Sequence, residues 1–170
     1  MITAKFGGTS LCDASHFQTV REILSRREDR RFVVVSAPGK RFGDDVKITD
    51  QLYRCHQEAR QGGQVEAAFA PVATRFREIV AGLGLSLDLE EEFRATLWAM
   101  ERGAGQAFCA SRGEYFSARI MAALLDLPFL DPAQCTFFDQ SGQFDVGSEM
   151  CIRDSPGPGP VHLFRPKRPI

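Results

Sequence analysis

A cation, two adjacent glycines and two hydroxyls stand together near the start of the chain, in KFGGTS, Lys5 to Ser10. The chemistry open to such a set is the holding of an anion. Two glycines leave backbone N–H groups with no side chain over them. Where a helix or turn then opens, those donors make an anion site, and Lys5 adds a full positive charge. Thr9 and Ser10 can donate further hydrogen bonds, so a phosphate or a carboxylate would fit. The stretch is not a Walker A loop, because GxxxxGK[ST] is absent and the lysine precedes the glycines. A tight strand-to-helix turn carrying a surface lysine accounts for the same residues.

Three further stretches carry candidate residues. SAPGK, Ser36 to Lys40, ends an apolar run. In a parallel α/β sheet, ligands bind beyond the carboxyl ends of strands, so Ser36 and Ala37 are expected beside Lys5–Ser10; a simple Pro38-Gly39 turn is the alternative. ITD places Thr49 at the entrance of a helix, where it could serve only as an N-cap. In SRGEYFSA, Ser111 and Glu114 have the [ST]xxE spacing of a capping box. His16, His56 and His162 show no triad or ligand spacing. The five cysteines, Cys12, Cys55, Cys109, Cys135 and Cys151, are scattered and never form CxxC. They read as reduced, buried thiols, and no metal site is expected.

The elements that must position these residues follow from periodicity. Residues 2–6 read as a strand. Asp13 is a plausible N-cap for a helix with Phe17, Val20, Ile23 and Leu24 on one face. FVVVSA, Phe32 to Ala37, suits a strand buried on both faces of a parallel sheet, which makes a βαβ unit with a right-handed crossover. A helix over about 48–60 turns Ile48, Leu52, Cys55 and Ala59 inward and is broken by Gly62 and Gly63. The stripe Val65, Ala68, Phe69, Val72, Phe76, Ile79, Val80 and Leu83 marks the next helix. Others are expected near 89–103 and 113–126, the second with Tyr115, Met121, Leu124 and Leu125 as core. PFLD and CTFFD read as short strands. Five of the last fifteen residues are proline, which sets 156–170 outside the fold.

The chain has 170 residues, 44% of them hydrophobic and 25% charged, with a net charge of -1. That is enough for one domain with a core, and the balance gives no clustered positive face for nucleic acid. No apolar run approaches a membrane span, and the N-terminus lacks a signal pattern. A cytoplasmic protein is the expectation.

Taken together and in order, KFGGTS, VVVSAPGK, KITDQL and SRGEYFSARIMAALL followed by FLDPAQCTFFD resemble the aspartokinases of the amino-acid kinase family. The resemblance covers about residues 1–145. It implies an α/β fold with a parallel-rich sheet flanked by helices, an incomplete three-layer α/β/α sandwich. It also implies ATP-dependent phosphorylation of L-aspartate to 4-phospho-L-aspartate with Mg2+, the entry step to lysine, threonine and methionine. Lys5 inherits neutralisation of the transferred phosphoryl group, with the backbone of Gly7 and Gly8 lining the same phosphate. Ser10, Ser36, Ala37, Thr49 and Glu114 match the positions that hold aspartate, the Glu114 carboxylate facing its ammonium. Another amino-acid kinase, or a non-catalytic anion- or amino-acid-binding module, would use the same loops.

The departure from that family is one of length. Its later nucleotide-binding segments, a substrate-gripping arginine, a second catalytic lysine and the regulatory domains through which the parent is expected to oligomerise have no counterpart here. Residues 1–145 are therefore expected to be the amino-acid-binding half of a catalytic domain, inactive alone. VGSEMCIRDS, Val146 to Ser155, leaves the family pattern. It back-translates to GTG GGC TCG GAG ATG TGT ATA AGA GAC AG plus one base, which resembles an adapter from transposase-based sequencing libraries. Residues 146–170 are accordingly expected to be a non-native, disordered tail.

Overall fold

The computed structural model describes residues 2–134, 136, 137, 141 and 143. It falls into two units, Met1–Leu127 and Pro128–Ile170. In the first, β1 (Ile2–Phe6) and β2 (Arg30–Val35) pair in parallel, with Lys5 opposite Val34 and Phe6 opposite Val35. The helix between them, α1 (Ala14–Ser25), starts where expected. The Asp13 carboxylate accepts the backbone N–H of His16 at 3.0 Å and so satisfies one of the donors a helix start leaves open. Phe17, Val20 and Leu24 are its buried face.

The expectation that the second strand is buried on both faces fails. Side chains alternate across a strand. Ala4, Phe6, Val33 and Val35 face the core. Thr3, Lys5, Phe32 and Val34 point the other way, where Phe32 is 38% and Val34 47% exposed. The architecture is α/β, and among the described residues the helices cover one face of this two-stranded sheet.

Four more helices complete the first unit: α2 (Ile48–Gln61), α3 (Val65–Gly82), α4 (Glu90–Glu101) and α5 (Gln106–Leu125). Ile48, Leu52 and Cys55 are buried in α2, and Gly62 ends it in the left-handed conformation (φ 67°) that glycine adopts without strain. α2 packs against α3 and α5, and α5 also lies against β2. The centre is aromatic. The Phe116 ring meets Phe93 at 4.9 Å, Phe76 at 5.1 Å and Phe69 at 6.4 Å, all edge-on. Each such contact adds roughly 0.5–1.5 kcal/mol beyond the area it buries.

One helix start and one helix cap differ from expectation, while α2 starts at Ile48 as read. α5 begins at Gln106, with Gly105 as its N-cap residue. Ser111 is therefore inside the helix, its Oγ donating to the Phe108 carbonyl at 2.8 Å, and no capping box with Glu114 exists. The run QAFCAS continues the helical pattern backwards, so the capping motif lies in mid-helix. In α2 the N-cap residue is Lys47, and Thr49 is the second helical residue, without a capping hydrogen bond.

In the second unit PFLD is not a strand. Pro128 offers no N–H to a ladder, and the Asp131 side chain instead accepts the Ala133 N–H at 3.0 Å, opening a short 3₁₀ turn, Pro132–Gln134. Thr136 and Phe137 belong to no regular element. The rest of CTFFD, and all of 146–170, lie outside the described residues.

Candidate active site

Immediately after β1 the chain makes a 3₁₀ turn, Gly8–Leu11, with Gly7 extended before it and the Ser10 N–H donating to the Gly7 carbonyl at 3.0 Å. The loop after β2 runs beside it. Ser36 N–H donates to the Phe6 carbonyl at 3.1 Å, and Gly39 N–H to the Gly8 carbonyl at 2.8 Å. A Cβ on Gly8 would stand 2.7 Å from the Ala37 carbonyl oxygen, and one on Gly39 would stand 2.9 Å from the Gly8 carbonyl carbon. Two glycine backbones touch here because neither carries a side chain. The expected juxtaposition of Lys5–Ser10 with Ser36–Lys40 is thus present.

The third stretch joins through a glycine. A Cβ on Gly113 would meet the Ala37 Cβ at 2.5 Å and the Ile48 and Leu52 side chains at 3.3 Å. Gly113 lets α5 close on both the second loop and the start of α2. Its neighbour Glu114 and Ile48's neighbour Thr49 are thereby carried to the same region. Glu114 is exposed, as are Lys5, Gly7 and Ser10; Thr49, Ser36 and Gly8 are half-buried, and Ala37 is buried. Lys5 has no ion pair among the described residues, and no side-chain hydrogen bond links the candidate side chains to one another. What the structure brings together is their backbones.

A buried ion pair braces this assembly, and nothing in the spacing of the sequence announces it. Arg75 of α3 is 3% exposed and Asp45 8%. The Arg75 Nη2 donates to both Asp45 oxygens, at 2.8 and 2.6 Å, and its Nη1 to the carbonyls of Cys12 and Gly39, each at 3.3 Å. Arg41 adds donors to Asp45 from its backbone N–H at 2.9 Å and its Nε at 3.0 Å. The Arg41 side chain first, and then its backbone and the Arg75 charge, hold the Asp45 carboxyl well below the usual carboxylate range against the opposing effect of burial. The available signal was an arginine set into the apolar stripe between Val72 and Phe76.

Cys12, Asp13 and His16 place a sulfur, an oxygen and a nitrogen within 4.8 Å of one another. Asp13 is already engaged as a helix cap, and burial together with the Asp13 charge raises the Cys12 thiol. Magnesium takes oxygen ligands, so this mixed set does not suit it. Cys12, Cys55 and Cys109 are buried free thiols, as expected; burial first, then Cys109, pushes Cys55 up to about 11. A concavity of about 480 Å³ lined by Arg41, Asp45, Gln51, Thr74, Arg75 and Glu78 includes none of the candidate residues. No described helix is long and apolar enough to cross a membrane.

The amino acid kinase family model matches residues 1–161. Aspartokinase 3 of Bacillus subtilis (strain 168) is 33% identical over 103 residues, which is 61% of this chain and 23% of that protein. The crystal structure of Clostridium acetobutylicum aspartate kinase matches with a TM-score of 0.81 at 38% identity, over 85% of this chain and 33% of that one. E. coli aspartokinase III in complex with aspartate and ADP matches with a TM-score of 0.70 at 19% identity, over 92% and 38% of the two chains, a likeness of fold. The chain spans well under half the length of each of these proteins.

Proposed function

We propose that this chain, which belongs to the amino acid kinase family, is the N-terminal, amino-acid-binding part of an aspartate kinase. The reaction of the intact enzyme is then transfer of the γ-phosphoryl group of ATP to the side-chain carboxylate of L-aspartate, in the cytoplasm, toward lysine, threonine and methionine. The observation that carries this reading is the backbone contact between Gly8 and Gly39. It sets the KFGGTS turn and the SAPGK loop side by side at the carboxyl ends of β1 and β2.

Phosphoryl transfer needs positioning and charge neutralisation more than covalent chemistry by the protein. Lys5, exposed and without an ion pair among the described residues, supplies the charge. The turn at Gly7 and Gly8 supplies backbone donors with no Cβ in the way. Ser10, Ser36, Ala37 and Thr49 line the amino-acid side, and the Glu114 carboxylate takes the substrate ammonium. With nucleotide segments outside its span, the 170-residue chain alone holds the amino acid and does not turn over.

The test uses the intact kinase carrying this segment. L-Aspartate should be phosphorylated in preference to glutamate, N-acetylglutamate and uridylate. Lys5→Ala should lower kcat by about 100-fold or more, as when a donor to developing charge is lost, with a smaller change in KM for aspartate. Preference for another acceptor would move the chain elsewhere in the family, and near-normal kcat in Lys5→Ala would remove Lys5 from the mechanism.

A further inference from the structure

We infer that Arg75 and Asp45 are positioning residues for the candidate site: their buried pair pins the loop after β2 against the turn after β1 and so sets the Gly8–Gly39 contact. The inference rests on the proposed function for the meaning of that contact, though not for its existence.

Gly39 is held from both sides. Its N–H donates to Gly8 and its carbonyl accepts from Arg75, and the same guanidinium reaches the Cys12 carbonyl just beyond the turn. One side chain therefore ties α3 to both candidate loops. Only a planar fork with several donors can meet the two Asp45 oxygens and two carbonyls at once; a lysine is a point charge on a flexible stem. Asp45 in turn takes its remaining hydrogen bonds from Arg41, whose Nη1 reaches Glu78 of α3 at 3.1 Å. The loop between Gly39 and Asp45 is thus fastened to α3 at two arginines. A buried pair is weak evidence of stabilisation, since apolar replacements of both partners are often neutral or better. The extra contacts to Gly39 and Cys12 place the loops, which apolar side chains cannot do.

Arg75→Lys and the double variant Arg75→Met with Asp45→Leu separate placement from stability. Amide hydrogen exchange is followed in the 170-residue chain at Gly39, in the loop, and at Ile120, buried in α5. Gly39 should lose protection by about tenfold or more in both variants while Ile120 changes by less than about twofold, the signature of a local opening. In the intact kinase the same variants should lower kcat by about tenfold or more with little change in KM for aspartate. Unchanged protection at Gly39, or equal loss at Gly39 and Ile120, overturns the inference; the double variant still decides it if Arg75→Lys fails to fold. A wild-type kinase inactive on aspartate defeats the functional reading and leaves the exchange result to decide the clamp.

Discussion

Glu114 is exposed on α5, beside the glycine that closes the helix onto Ala37 and Ile48. The sequence offers it two roles, and the structure removes one: the helix starts eight residues earlier, at Gln106, so Glu114 caps nothing. A carboxylate left exposed in mid-helix at this place is free to bind. If it takes the aspartate ammonium, Glu114→Gln in the intact kinase removes a charge-assisted hydrogen bond of roughly 1.5–3 kcal/mol. KM for aspartate should then rise by about tenfold or more, with thermal stability unchanged. An unaltered KM would take Glu114 out of the substrate site. Asp45 makes the opposite case, a carboxylate whose work is internal. Its folded-state pKa is depressed, by Arg41 and then Arg75, so the unfolded chain binds more protons than the folded one in acid. The stability it contributes is complete above the ordinary carboxylate value of about 3.9 and is lost as the pH falls below it. Asp45→Asn should accordingly be less stable than the parent at neutral pH, and the gap should narrow in urea titrations carried below about pH 4. A gap independent of pH would mean that the Asp45 charge is not what the arginines hold.

At the scale of elements, the site is built by glycines that do different things. Gly8 is pressed on Ala37 and Gly39, whereas a Cβ on Gly7 would meet nothing within 4 Å. Gly8→Ala should cost about 1–3 kcal/mol of stability, as overpacking does, and part the two loops. Gly7→Ala should leave the melting temperature nearly unchanged and, in the intact kinase, act on kcat alone. Equal melting temperatures for the two variants would contradict the contact. This difference also marks how far the sequence could be read. The Asp13 cap, the α3 stripe and the Gly62 stop are local patterns, and the structure contains each of them. The capping box and the strand buried on both faces were misread because local patterns do not record what packs against them. Ser111-x-x-Glu114 sits inside a longer helix, and the valines of β2 have a partner layer on one side. Arg75 and Asp45 stayed hidden because they are thirty residues apart and carry no motif. Gly113 was legible only as part of RGE, its reason being a contact with Ala37 that spacing cannot show.

For the molecule as a whole, the bare face of the sheet and the short span against the relatives point the same way. Phe32 and Val34 are exposed apolar residues on one face of a two-stranded sheet, which a complete α/β/α sandwich would cover. Where the native sequence stops is then a question of residues 146–155. The family match runs on to residue 161, whereas VGSEMCIRDS resembles one reading frame of a sequencing adapter, nine residues by whole codons and the tenth by its first two bases. We propose that the boundary lies near Asp145, because the motifs that resemble the family end with FLDPAQCTFFD and the proline-rich run follows the adapter-like stretch without a break. On this reading residues 146–170 were never selected with the fold. Removing them should leave the stability of the first unit within about 0.5 kcal/mol, as for changes away from packed features, and Cys151 and His162 should be replaceable without effect on aspartate binding. The nucleotide sequence decides the matter directly. Codons for 146–155 that match the adapter base for base place the junction there, and synonymous codons that depart from it would make the segment native and carry the kinase sequence through to the end of the family match.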